Sequence, residues 1–299
     1  MMSKKKSEKL ARDLAQANRS SGMLGDTLSR LVRNKAGMIG IIIILLLFIL
    51  CLAAPVFTHW DPYEQSVKIR LNFPSAEHIF GTDDFGRDIW SRMLYGGRYS
   101  LFIAVGAMLI STAVGMILGA VSGFFGGKTD LIIMRILDII QSIPALLLAI
   151  AISSALGSGP FNTMLAISTA GIAGTGRIMR STVMTIRGDE FVEAARATGS
   201  SNFRIIMKEV VPNTIAPLII NASLSIGGNI MAISGLSFIG LGVQGSTPEW
   251  GAILAVGKTY LREFWPLVVF PAIALTLTIF GFNLLGDALR DALDPRLKD

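Results

Sequence analysis

Glu193-Ala194-Ala195-Arg196-Ala197-Thr198-Gly199 opens a polar, cationic stretch that runs on through residues 200–211 to Pro212-Asn213, between two long apolar runs. Read locally, it is a helix, a break and a second short helix. Ala194, Ala195 and Ala197 favour helix and leave the backbone bare of bulk. Gly199 suits the left-handed residue that ends a helix. Ser200, Ser201 and Asn202 are candidate caps for the next one. Pro212 suits the first turn of the span that follows, where its missing N–H costs little. A helix of small side chains can settle deep in a groove on another protein. The plainer alternative is an amphipathic hairpin lying on a membrane surface.

The flanking runs set the fold class. The chain is 52% hydrophobic and 16% charged, with mean hydropathy +0.58, whereas average soluble domains are about 25% charged. Long uncharged runs fill that gap, so this is an all-α polytopic membrane protein. Its net charge of +6 does not point to nucleic acid, because no aromatic–basic module accompanies it. Membrane proteins gather Lys and Arg on one side in any case. The single cysteine, Cys51, lies in the first apolar run. It offers no disulfide framework and no thiolate metal cluster, and reads as a small apolar side chain facing lipid or another helix. Bulky Leu50 before it argues against a lipoprotein anchor.

Six spans are predicted. Residues 1–35 form a polar tail with nine Lys or Arg. Within it Leu24, Leu28, Leu31 and Val32 share one helical face, which fits either a helix along the inner leaflet or a plain basic tail. Residues 36–57 make the first span, too long for the apolar core of a cleaved signal peptide. Residues 58–99 are a hydrophilic outer loop. A five-helix core over 100–287 follows, with spans at 100–121, 131–155, 161–179, 212–241 and 264–285. Pro144 is the expected kink of the third span. The core includes the polar loop 181–211, and a tail covers 288–299. With the N-terminus inside, twenty of the 27 Lys and Arg fall inside and seven outside. That bias puts the Glu193 loop and both termini in the cytoplasm.

Other motifs carry less. Gly127-Lys128-Thr129 and Gly257-Lys258-Thr259 lack the earlier glycine of a phosphate loop, with Ser122 and Ala252 at that position. Any ATP-driven work therefore needs a separate subunit. Asp83, Asp84 and Asp88 do not fit a calcium loop; with Arg87 among them they read as ion pairs or turn caps. His59 and His78 suggest no metal pair. Asp138 is one turn from Arg135 and is expected to pair with it, with Gln141 beyond. Asn221 and Asn229 share a face of the fifth span with Ser223 and Ser225 nearby, and either line a translocation path or bond neighbouring helices; Asn283 and Asp287 end the sixth span similarly. Gly171, Gly174 and Gly176, with Ala170 and Ala173, offer a close-packing face, as do Gly227, Gly228, Gly235, Gly240 and Gly242. No Ser-His-Asp, Cys-His or paired-carboxylate constellation stands at a plausible membrane face, so no catalytic site is expected.

The order Glu193-Ala194-Ala195, then Gly199, then Pro212 resembles the "EAA" loop of ABC-importer permeases. Glu209 stands where that family carries Ile and Val211 where it carries Leu, with Val210 able to take the apolar role one position along. The segment Gly81-Thr82-Asp83-Asp84-Phe85-Gly86-Arg87-Asp88, with Ser91-Arg92 and Gly96-Gly97-Arg98, is similar to the stretch before the second span of the C-type subunit in the dipeptide/oligopeptide/nickel subfamily. The resemblance implies a type I importer permease in a bacterial or archaeal cytoplasmic membrane. It implies four kinds of neighbour: a homologous second permease, two ATP-binding subunits, an extracytoplasmic substrate-binding protein and the bilayer. ATP and Mg would be used by those subunits, with no cofactor on this chain. Glu193, Ala194, Ala195, Arg196, Ala197, Gly199 and Pro212 would form the ATPase-coupling element, with Asn221 and Asn229 as path candidates. The expected cargo is di- or oligopeptide, with nickel or a metal chelate as the alternative. An ion-coupled secondary transporter is the alternative of another class; it needs buried ionisable groups near the midplane and usually internal repeats.

Overall fold

The structure, a computed structural model, describes residues 23–244 and 246–293. Helices α1 (Met23–Arg33), α2 (Lys35–Leu52) and the short α3 (Ala54–Phe57) lead into the 58–88 segment. There follow α4 (Ile89–Phe125), α5 (Gly127–Ser142), α6 (Ala145–Leu156), α7 (Pro160–Ile186), α8 (Glu190–Ala197) and α9 (Asn202–Ile205). A π turn (Ile206–Val210) runs into α10 (Val211–Phe238); α11 (Trp250–Gly257) and α12 (Pro266–Leu293) complete the chain. The first 22 residues of the basic tail lie outside the described residues. Met23–Arg33 of it forms the helix α1, in which Leu31 is buried while Leu28 and Val32 are exposed.

Among the described residues α2, α4, the unbroken run Asn202–Phe238 and α12 are long and apolar enough to cross a membrane. Helices α5 and α6, bent by 89° at their junction, pass the same test only when taken together as one broken span. The expected kink at Pro144 is thus a break: Ile143 is extended and α6 restarts with Pro144 as its cap. Proline's ring forbids the helical hydrogen bond that would carry α5 onward. Helix α7, the expected fourth span, is long enough but not among the helices apolar enough to cross by that measure; it packs along α4.

The α4–α7 contact rests on a row of small residues in α4 at every fourth position. A side chain at Gly115 would meet the Gly176 backbone at 2.9 Å, and one at Gly123 the Arg180 carbonyl at 2.8 Å; at Gly119 the obstacle is the Gly176 carbonyl. Backbones this close gain dispersion contacts that lipid cannot offer. The sequence reading placed the α7 half of this face, Gly171 and Gly176, and missed the α4 half. Gly174, Gly228 and Gly235 point into open space instead.

Helix α4 begins eleven residues before the expected 100, because Asp88 caps it by accepting from Ser91 N at 2.7 Å. At 37 residues it is about 55 Å long at 1.5 Å per residue, well beyond the ~30 Å apolar core of a bilayer. Its polar start is buried under the 58–88 segment: Asp83 holds Arg87 at 2.6 Å and Arg92 at 3.3 Å. These are the ion pairs and caps expected of Asp83 and Asp88. Phe80 stacks on Phe270 of α12 at 3.7 Å and meets Trp90 edge-on. The unexpected α11 is capped by the fully buried Glu249, whose carboxylate accepts from Ser100 Oγ at 2.8 Å and Ala252 N at 2.9 Å. Trp250 then donates to the Met93 carbonyl at 2.8 Å.

Candidate coupling site

The 190–210 segment folds as its residue types dictate. Helix α8 ends in a Schellman turn: Ser200 N donates to the Ala195 carbonyl at 3.1 Å and Gly199 N to the Arg196 carbonyl at 2.9 Å, the two bonds that define that motif. Gly199 sits at φ +79°, where an L side chain is strained. Ser201 caps α9 by accepting from Arg204 N. Pro212 lies in the first turn of α10, as expected, but no break precedes it. Instead Val211 N reaches back five residues to the Ile206 carbonyl. A regular turn would drive the Pro212 ring into the Lys208 carbonyl, and the wider π turn avoids that clash. Asn213 Nδ2 then takes up the Glu209 carbonyl at 2.6 Å.

One face of this loop is locked into a core of its own. Val192, Ile205 and Val210 are fully buried against Ala120, Phe124, Met179, Val183 and Leu218, so the loop touches the ends of α4, α7 and α10 at once. Val210 takes the apolar position, while Glu209 and Val211 are half-buried. The other face is open: Glu193, Ala194, Arg196, Ala197 and Gly199 are exposed, Ala195 is half-buried and Pro212 is exposed. Glu193 has no ion-pair partner among the described residues. Arg196 lies over the Phe124 ring, 5.1 Å from its centre. Apolar Phe203 (74% exposed), Met207 (48%) and Phe191 (37%) are also exposed in this segment. The sequence reading missed these three; an isolated Phe in a cationic loop was the available signal.

Charge pairs brace the surrounding helix ends. Arg180 forks onto Asp130, which also accepts from Ser122, and Arg187 donates to the Gly123 carbonyl at 3.1 Å. The expected Asp138–Arg135 pair is not formed; Asp138 binds Arg177 of α7 at 2.6 Å. Arg135 is on the same helix, but α7 packs across α5 and brings the nearer cation. Asn221 donates to Thr175 Oγ1 at 3.2 Å and Asn229 to the Ala104 carbonyl at 3.1 Å. Of the two roles open to these residues, each amide is therefore engaged between helices. A side chain at Gly227 would meet Asn283 at 3.2 Å, placing the sixth span's asparagine beside α10.

Residues 115–299 match the family model described as "Binding-protein-dependent transport system inner membrane component". The chain belongs to that family. Residues 22–74 match a second model, "N-terminal TM domain of oligopeptide transport permease C". The permease is 41% identical over 273 residues to "Dipeptide transport system permease protein DppC" of Alkalihalophilus pseudofirmus, covering 91% of this chain and 90% of that one. It is 42% identical to "Probable D,D-dipeptide transport system permease protein DdpC" of Escherichia coli, over 85% of this chain and 86% of the relative. To "Oligopeptide transport system permease protein OppC" of Bacillus subtilis it is 36% identical, over 94% and 92%. Among solved structures, the inward-facing MetNI methionine ABC transporter matches with a TM-score of 0.55 at 16% identity, over 68% of this chain and 96% of that one. The shared fold is that of an ABC-importer permease.

Proposed function

We propose that this permease subunit imports di- or oligopeptides and seats its ATPase partner on α8 and the turn after it. The observation that carries this is a loop rigid on one side and bare on the other. Val192, Ile205 and Val210 fix it to three helix ends, while Glu193, Ala194 and Ala197 present a small-faced, uncompensated anionic helix edge. Exposed Phe203 and Met207 supply the apolar anchors that a stable interface needs. The relatives' names support peptide as cargo. The Lys and Arg distribution supports a cytoplasmic loop with both termini on the same side. The complete transporter then holds a homologous second permease, two ATP-binding subunits that use ATP and Mg, and an extracytoplasmic substrate-binding protein; this chain binds no cofactor.

Reconstitution of the full complex in proteoliposomes tests the reading. Peptide uptake should require ATP and the binding protein. Glu193→Lys or Gly199→Asp should detach or uncouple the ATPase without unfolding the spans. Uptake that persists with an inactive ATPase and collapses with a protonophore would establish the ion-coupled alternative instead. Nickel or chelate uptake in place of peptide would move the cargo assignment.

A further inference from the structure

A cavity of about 400 Å³ opens on the face opposite the coupling loop, at the far end of α10. Asp84, Ser237, Phe238, Gln244, Lys258 and Tyr260 line it. Its volume falls in the range of about 300–1,000 Å³ typical of small-molecule sites.

The charges around it are unevenly paired. Three carboxylates, Asp83, Asp84 and Asp88, share this corner with Arg87, Arg92 and Lys258, while Arg70 donates to the Tyr260 hydroxyl at 2.9 Å. Asp83 takes the close contacts of Arg87 and Arg92, at 2.6 and 3.3 Å. Asp88 is met by His78 Nδ1 at 2.9 Å and Ser91 N at 2.7 Å. Asp84 is left over: its nearest cation is Arg87 Nη2 at 3.7 Å, and its buried Oδ1 has no hydrogen-bond partner. A carboxylate with one enclosed, undonated oxygen is expensive to keep ionised, so a ligand cation against the exposed 17% of that side chain recovers free energy. On the same cavity Lys258 has no carboxylate partner among the described residues. Its ammonium rests on the Phe238 carbonyl at 3.4 Å and over the Phe238 ring at 4.7 Å.

A divalent cation is a poor match for this pair. It wants six or more oxygens, and the second charge of the pair is positive; among the described residues no group of three or more His, Cys, Asp or Glu could hold a metal. A free peptide suits it. Its α-ammonium, pKa about 8, brings the missing donor, and its α-carboxylate is the anion Lys258 lacks. We propose that this cavity is a handover site for short zwitterionic peptides, with Asp84 receiving the N-terminal ammonium and Lys258 the C-terminal carboxylate. The assignment rests on the peptide-import reading and on the orientation that puts this face outside. It makes the permease itself a reader of free peptide termini.

The test uses the complete reconstituted transporter with its binding protein and a dipeptide carrying a diazirine side chain. After illumination, mass spectrometry should find the label within residues 237–244 or 256–260. Unlabelled dipeptide should compete, and its N-acetylated, C-amidated form should not. Charge-assisted hydrogen bonds are the strong ones, so Asp84→Asn and Lys258→Gln should each reduce labelling roughly tenfold. If Asp84→Asn fails to assemble with the ATPase subunits, Lys258→Gln decides alone. Import of the dipeptide with label only elsewhere, or undiminished labelling in assembled variants, overturns the handover site and leaves the peptide reading standing. If the wild-type complex imports no peptide, both fall.

Discussion

Replacing Gly199 by Ala isolates one backbone effect. The residue sits at φ +79°, and a Cβ built there meets nothing within 4 Å. Steric collision with the rest of the protein therefore contributes nothing, and the change is one of main-chain conformation alone. Holding an L residue in the left-handed region costs about 1–2 kcal/mol. Against that, Ala loses less unfolded-state freedom than Gly, which returns about 0.4–1 kcal/mol. The net loss, about 1 kcal/mol, amounts to roughly a fivefold rise in local opening. Asn tolerates this conformation, so Gly199→Asn should lose much less. Hydrogen exchange on the purified complex, followed on peptides covering 190–205, reads this directly. Gly199→Ala should exchange roughly fivefold faster in that loop, with Gly199→Asn between it and wild type and the spans unchanged. Equal rates in Gly199→Ala and wild type, or in the Ala and Asn variants, would refute the left-handed turn as what orders the loop.

Three further outcomes follow from the same geometry. Val192→Ala removes two carbons from a fully buried site. At about 0.8 kcal/mol per CH₂ plus a cavity contribution, it should loosen the loop by about 2 kcal/mol, seen as faster exchange at 190–210 and weaker peptide stimulation of ATP hydrolysis. The Asp138–Arg177 pair is nearly half exposed on both sides, so a double-mutant cycle on melting temperature should give a coupling under about 1 kcal/mol. Burial, and then the neighbouring charge of Asp83, push the Asp84 carboxyl above its usual pKa. The folded state thus disfavours its ionised form, a penalty absent below the ordinary value near 4 and complete above the raised one. Asp84→Asn should therefore raise the melting temperature at pH 7–8, and its advantage over wild type should shrink as the pH falls toward 4.

What the sequence made legible was local or compositional. Four of the spans and the bent α5–α6 pair follow from hydropathy, and the Schellman turn and the Ser201 cap follow from residues whose preferences are set within a few positions. What escaped depended on distant partners. Asp138 has a cation one turn away in sequence, yet a nearer one arrives on α7. The eight residues of α11 are too short to announce a helix by period; Glu249 caps its start, and its second carboxylate oxygen is satisfied in the interior by Ser100 of α4. The π turn has a local cause in Pro212, but a wide turn is one of several ways a chain can relieve that clash. The α4 glycines at 115, 119 and 123 carry a regular spacing that composition alone does not separate from ordinary small residues of a span.

The geometry also ties the two ends of the proposed transport cycle to one element. The run Asn202–Phe238 is a single helix through the π turn. Its first turns share the loop's core with Val192, and its last residues line the cavity that holds Asp84 and Lys258. Between them, Asn221 and Asn229 hydrogen-bond it to α7 and α4. Packed interiors switch between arrangements more readily than they stretch. A push on the loop face must therefore be taken up by sliding at those two amides, by the π turn, or by displacement of the far end. The π turn is the softest of the three, since its ladder is already irregular. A stiff rod with one compliant turn beside the point of force transmits most of its motion only while that turn is braced. Ile206 and Val210, both buried in the loop's core, are the braces, whereas Glu209 beside them is only half-buried.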